Sequence, residues 1–184
     1  MIANRTLVIA EAGVNHNGSL EIALRLVDVA ADAGADVVKF QTFKAEQLAT
    51  ASAHKAAYQV ANTGEEGGQL DMLRRLELRP EDHHALLARC KERGIRFMST
   101  AFDEPSLDLL ATLDMPAVKI PSGDVTHAPL LLRAARLGAP LIVSTGMCDL
   151  GEVEAALGVI AFALMRDGMP SGRVDFVAAY ADPQ

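Results

Sequence analysis

The stretch SLEIALRLVDVAADAGADVVKFQT, residues 19–42, decides the fold. Leu20, Ala23, Leu24, Val27 and Ala30 or Ala31 recur at helical spacing, Ser19 stands at the N-cap position, and Gly34 is placed to end the helix after Ala33. Two residues later, Asp36–Thr42 is almost continuously apolar, as a strand covered on both faces must be. A helix that feeds such a strand directly is half of a βαβ unit.

The same grammar extends in both directions. Thr6–Ala12, Ile95–Thr100, Ala117–Ile120, Pro140–Thr145 and Arg173–Tyr180 read as further strands. Between them, helices run from Pro80 to Gly94, from Asp103 or Glu104 to about Leu113, from Ala128 to Leu137 before Gly138, and from Leu150 to Arg166 before Gly168. The spacing therefore predicts an α/β chain of (β/α)8 TIM-barrel type, incomplete, with about six strands and five helices. Six strands cannot close an eight-stranded barrel, so either the chain is a truncation or its first and sixth strands pair with something else. Phe43–Arg79 far exceeds a usual βα loop and is expected to be a lid with a short helix near Gln69–Leu76. No repeat, low-complexity tract or linker marks a second domain, so residues 1–184 are expected to form one barrel part.

Composition narrows the function classes. Half of the residues are apolar and the formal net charge is −7, which argues against a surface built for nucleic acid or anionic lipid. The two cysteines, Cys90 and Cys148, have neither metal-ligand spacing nor the density of a secreted disulfide framework, and both are expected to be reduced thiols. No apolar run approaches the roughly 18 residues of a membrane span, and no signal-peptide core follows Met1, so a cytoplasmic location is the expectation.

In a parallel barrel, polar side chains at the carboxyl ends of strands point to the site. Here they are Glu11; Lys39, Gln41 and Thr42; Ser99, Thr100 and Asp103; Lys119, Ser122 and Asp124; Ser144 and Thr145; then Tyr180 and Asp182. Lys39 and Lys119 sit inside apolar strands, where an ammonium is costly unless an anion answers it, and together they suggest a bound dianion. The hydroxyls of Thr100, Ser122 and Ser144, with amides at Gly123 and Gly146, would complete a phosphate or carboxylate cradle. Glu11, Gln41 and Asp124 are left to bind hydroxyl groups or move protons. Plainer readings stand beside these. A strand lysine can snorkel from an edge, and Asn15, Asn17 and Gly18 can simply turn the chain into the first helix, with His16 in a structural hydrogen bond. His83 and His84 are expected to be solvated, and Cys90 and Cys148 to fill space. Dinucleotide and P-loop glycine patterns are absent.

Five motifs, IAEAGVNHNG (9–18), VKFQTFK (38–44), STAFD (99–103), KIPSGD (119–124) and STGM (144–147), taken in order, resemble the strand ends of the sialic acid synthase family. This resemblance implies condensation of phosphoenolpyruvate with an N-acylated amino sugar such as N-acetylmannosamine, with phosphate release. By position it implies that Lys39, Thr100, Lys119, Ser122 and Ser144 hold phosphoenolpyruvate, that Glu11, Gln41 and Asp124 face the sugar, and that Tyr180 lies at their shared edge. It also implies a divalent metal, Mn2+ or Mg2+, and a homodimer. The family's metal-binding histidines have no counterpart here, so no metal ligand is expected in this chain, and the C-terminal antifreeze-like domain is absent. Around Tyr180 the sequence DFVAAY (175–180) departs from the family pattern, which has a His-Cys motif on the sixth strand and an Asn two residues before the tyrosine. Two alternatives remain open: another phosphosugar barrel aldolase or synthase, for which a Schiff-base lysine would be diagnostic, and a catalytically inert partial barrel that binds anions or assembles with a partner chain.

Overall fold

The computed structural model describes residues 6–54 and 68–182. The chain divides into two units, residues 1–115 and 116–184. In the first unit, β1 (Ile9–Gly13), β2 (Val37–Thr42) and β3 (Arg96–Ala101) pair in parallel, β1 with β2 and β2 with β3. Their connections carry α1 (Leu20–Asp32), α2 (Ala45–Leu48), α3 (Gln69–Leu76) and α4 (Pro80–Arg93), and α5 (Glu104–Ala111) follows β3. In the second unit, β4 (Val118–Ile120) and β5 (Leu141–Val143) pair in parallel. A 3-10 turn at Ser122–Asp124 follows β4, and α6 (Ala128–Ala135), α7 (Leu150–Met165) and α8 (Arg173–Tyr180) complete the unit.

The helix boundaries follow the local chemistry of the sequence. Ser19 Oγ accepts from the Ile22 amide at 3.3 Å and starts α1. Pro80 opens α4, and Gly94, at φ 67°, closes it with its amide on the Cys90 and Lys91 carbonyls. Asp103 caps α5 through the Ser106 amide at 2.7 Å, and Asp149 with Glu152 forms a capping box on α7. The short helix expected at Gln69–Leu76 is α3. The lid expected around it extends over residues 55–67, which lie outside the described residues.

Strand alternation gives β2 and β3 two chemically distinct faces. Val38 and Phe40 of β2, with Phe97 of β3, point to the helices, where Phe40 and Phe97 stack at 6.0 Å between ring centroids. His16 lies 6.2 Å from Phe40 and His83 of α4 lies 6.4 Å from Phe97, so two histidines bracket the phenylalanine pair. The helices are tied to each other by Arg89, whose Nε and Nη2 each donate to the Asp28 carboxylate at 2.8 Å. Burial pushes the Cys90 thiol up to about 12, so this side chain is a protonated filler of the α4 face.

One strand expectation fails: Arg173–Tyr180 is the helix α8, so the described residues contain five strands, not six. Val174, Phe176 and Ala178 alternate as a strand would, but Phe176, Ala179 and Tyr180 also share a helical face. Phe176 packs edge-on against Phe162 of α7 at 5.6 Å. Gly158 permits the approach, because a Cβ there would come within 2.8 Å of the Phe176 carbonyl oxygen. A strand needs a neighbouring strand for its amides and carbonyls; a helix satisfies most of them internally, and α8 does so while burying Ala179.

Candidate functional site

In the first unit, the register brings four of the expected residues onto neighbouring positions. Glu11 pairs with Lys39 across β1 and β2, and Gln41 pairs with Thr100 across β2 and β3. Lys39 and Gln41, two residues apart, project from the same face of β2. The Glu11 carboxylate and Lys39 ammonium form an ion pair, with the lysine side chain 13% exposed and the glutamate side chain 51% exposed. The anion answering Lys39 is therefore the chain's own Glu11. Beside them β1 breaks its register between Glu11 and Gly13. A Cβ on Gly13 would lie 3.3 Å from Glu11 Oε1 and 3.6 Å from Gln41 Nε2, so carboxylate and amide converge over a backbone stripped of its side chain. Thr100 is buried beside this group.

The turn after β1 has a structural role. The Gly18 amide donates to His16 Nδ1 at 3.0 Å, so the proton of the neutral ring resides on Nε2, which has no hydrogen-bond partner among the described residues. Burial pulls the His16 pKa below its ordinary value, with His83 acting in the same direction and Asp82 opposing it. Gly18 itself, at φ 77°, presses on the Arg75 carbonyl at the end of α3, leaving no room for a side chain.

Behind the polar face, sequence reasoning missed a network. His83, expected to be solvated, is fully buried. The helical stripe His83, Leu86, Cys90 carried that signal, because it is the inner face of α4. His83 Nδ1 donates to the Arg79 carbonyl at 2.9 Å, and its Nε2 meets Thr42 Oγ1 at 2.8 Å. Thr42 Oγ1 in turn lies 2.7 Å from Ser99 Oγ. Since a carbonyl only accepts, the neutral ring carries its proton on Nδ1, Nε2 accepts from Thr42, and Thr42 accepts from Ser99. Two carboxylates add further ties. Asp103 Oδ2 accepts from the Lys44 amide at 2.7 Å, and Glu77 accepts from Lys44 Nζ at 2.6 Å and from the Ala45 amide at 3.1 Å.

In the second unit, Lys119 sits in β4 opposite Ile142, and its Nζ donates to the Ile120 carbonyl at 2.6 Å. The Ser144 amide also donates to that carbonyl, at 3.1 Å, which brings Ser144 alongside the end of β4 just before Ser122 and Asp124. Cys148 Sγ lies 3.5 Å from the Ser122 carbonyl. Lys119, Ser122, Asp124 and Ser144 are thus local to one end of the β4–β5 pair. Tyr180 ends α8, 46% exposed, and lines an open cleft of about 720 Å³ with Val125, Asp149, Glu152, Gly158 and Phe176.

Among the described residues, no three His, Cys, Asp or Glu side chains are grouped as a divalent ion would require. Glu11 is engaged by Lys39, and His16 offers Nδ1 to a backbone amide. These donors do not fit a resident metal. None of the described helices is long and apolar enough to cross a membrane.

Comparison with known proteins supplies what geometry alone does not. Residues 26–171 match the family described as the NeuB family. The chain is 51% identical over 153 residues to an N,N'-diacetyllegionaminic acid synthase of Legionella pneumophila, covering 83% of this chain and 43% of that protein. It is 49% identical over 156 residues to the Campylobacter jejuni protein of the same name, covering 85% and 47%. Among solved structures, an N-acetylneuraminic acid synthetase from Leptospira borgpetersenii aligns with a TM-score of 0.74 at 30% identity, over 94% of this chain and 58% of that one. A DAHP synthase from Thermotoga maritima, at 16% identity and TM-score 0.61, shares the fold alone. The chain spans less than half the length of these curated relatives.

Proposed function

Because the chain belongs to the NeuB family, we propose that it supplies the phosphoenolpyruvate-binding and sugar-binding strand ends of a nonulosonic acid synthase. In that reaction a bond forms between C3 of phosphoenolpyruvate and the aldehyde carbon of an open-chain N-acylated amino sugar, water adds to C2, and phosphate departs with cleavage of the C2–O bond to leave the 2-keto acid. The observation that carries the reading is the in-register array Glu11, Lys39, Gln41 and Thr100 on β1, β2 and β3.

Lys39 is held in a nearly enclosed position by a carboxylate on a neighbouring strand. An incoming phosphate or carboxylate shares or replaces that partner, so the desolvation of the ammonium is already met before substrate arrives. Once the anion takes Lys39, the half-exposed Glu11 carboxylate is left to accept a hydrogen bond from a sugar hydroxyl or to take a proton. Gln41 offers both a donor and an acceptor to the N-acyl sugar, and the buried Thr100 hydroxyl donates to the anion. Lys119, Ser122 and Ser144 are assigned to phosphoenolpyruvate and Asp124 to the sugar. Tyr180, at the end of α8, is assigned to the edge shared by the two substrates. A divalent metal in such enzymes polarises the sugar carbonyl. No step is assigned through one here, since the described residues supply no ligand set for it.

The similarity to the legionaminic acid synthases favours a sugar bearing two acetamido groups over N-acetylmannosamine. The test incubates the purified chain with phosphoenolpyruvate, Mn2+ and either sugar, following phosphate and 2-keto acid together, with Lys119→Ala as control. Coupled release of both products, greater with the diacetamido sugar and abolished by the substitution, supports the proposal. Phosphoenolpyruvate binding without product supports an anion-binding partial barrel, and a borohydride-trapped lysine adduct supports an aldolase.

A further inference from the structure

His83 takes no part in the chemistry proposed above, yet it is fully buried and both of its ring nitrogens are engaged. A buried histidine often serves only as core filling. This one differs in what it grips. Thr42 is the last residue of β2 and directly follows Gln41, while Ser99 directly precedes Thr100 on β3. Alternation puts Thr42 and Ser99 on the helix side and Gln41 and Thr100 on the opposite side of the same peptides. The two hydroxyls are thus borne by residues whose peptides adjoin the two site residues. The Arg79 carbonyl fixes the ring from behind, at the start of α4, and makes Nε2 an acceptor rather than a donor.

We propose that His83 is a positioning residue, whose Nε2 holds the hydroxyls of Thr42 and Ser99 in line and so fixes Gln41 and Thr100 in their facing register for substrate. The inference rests on the reading that Gln41 and Thr100 meet the substrates. Its geometry, one acceptor behind two adjacent strand ends, is independent of which amino sugar binds. A second tie, from the Asp103 carboxylate at the end of β3 to the Lys44 amide after β2, spans the same two strands one step further along. The ends of β2 and β3 are thus tied twice, at Thr42 with Ser99 and at Lys44 with Asp103.

The experiment compares His83→Gln, His83→Leu and Thr42→Val in the whole chain by calorimetric titration with phosphoenolpyruvate and by amide hydrogen exchange. A glutamine places a carbonyl oxygen near the Nε2 position and keeps an acceptor for Thr42; leucine fills space without one. His83→Leu and Thr42→Val are expected to weaken phosphoenolpyruvate binding about tenfold, with faster exchange at residues 41–43 and 100–102, while His83→Gln stays within about twofold of the unsubstituted chain. Equal affinity and exchange in all of them overturn the inference. If His83→Leu does not fold, Thr42→Val removes the same bond from the strand side and carries the comparison. If the unsubstituted chain binds no phosphoenolpyruvate, the proposed function fails, and exchange alone judges His83. Protection lost in Thr42→Val but kept in His83→Gln upholds the tie; unchanged protection in both refutes it.

Discussion

The two units treat the same kind of residue differently. In the first, the strand lysine is enclosed and paired with a carboxylate on the next strand, and the strand ends are cross-tied by hydroxyls, a histidine and the Asp103 carboxylate. In the second, Lys119 reaches the carbonyl of the residue after it, and all three residues of β5 are only half-buried. A strand gripped on both sides, like β2, can hold costly polar groups in fixed places, because each has a partner whose geometry is set by another element. The polar groups of the first unit are accordingly held by neighbouring elements, while Lys119, Ser122 and Ser144 lie at one end of a short strand pair.

The largest test of that difference is in the cores. Phe97→Ala removes the centre of the His16–Phe40–Phe97–His83 row and is expected to cost about 3–5 kcal/mol, read from urea unfolding. Phe162→Ala, which breaks one edge-on pair in the second unit, is expected at the low end of that range or below it. Equal losses would break the comparison. Next in size is Asp103→Ala, which frees the Ser106 and Lys44 amides together and is expected to cost about 2 kcal/mol. Asp149→Ala removes an exposed cap of α7 and is expected to cost about 1 kcal/mol.

The strand ends of the first unit were legible because each apolar run stops at a polar residue, and β1, β2 and β3 are buried enough for that pattern to hold. The helix limits were legible for the same local reason, since Ser19, Pro80, Asp103 and Asp149 each meet a free amide or stand where none is needed. His83 was hidden because histidine near a helix start reads as solvated, and only the partner strand reveals what its ring accepts. Arg173–Tyr180 was misread because an eight-residue run of Val, Phe and Ala fits period 2 and period 3.6 alike, and the deciding contact, Phe176 against Gly158 and Phe162, is not local in sequence. The pairing of Glu11 with Lys39 was equally invisible, since it depends on register.

Two smaller effects sharpen the contrast. His16 and His83 both have pKa values lowered by burial, so the folded first unit binds fewer protons than the unfolded chain near and below the ordinary histidine value of 6.5. Their contribution is fully present above that value and is lost as pH falls through the folded pKa values. The melting temperature should be flat between about pH 7.5 and 8 and fall progressively below about 6.5, and His83→Gln should flatten part of the decline. The smallest effect is expected at Val177 on α8, where Val177→Ser on an exposed position should change stability by no more than about 0.5 kcal/mol.

The most direct test of the central claim is a calorimetric titration of phosphoenolpyruvate into the unsubstituted chain, Lys39→Ala and Lys119→Ala. Binding to the unsubstituted chain, weakened at least about tenfold by either substitution, is the predicted result, because each removes an ammonium proposed for anion binding. Binding that is unchanged by both substitutions would contradict the account and place the anion elsewhere on the molecule.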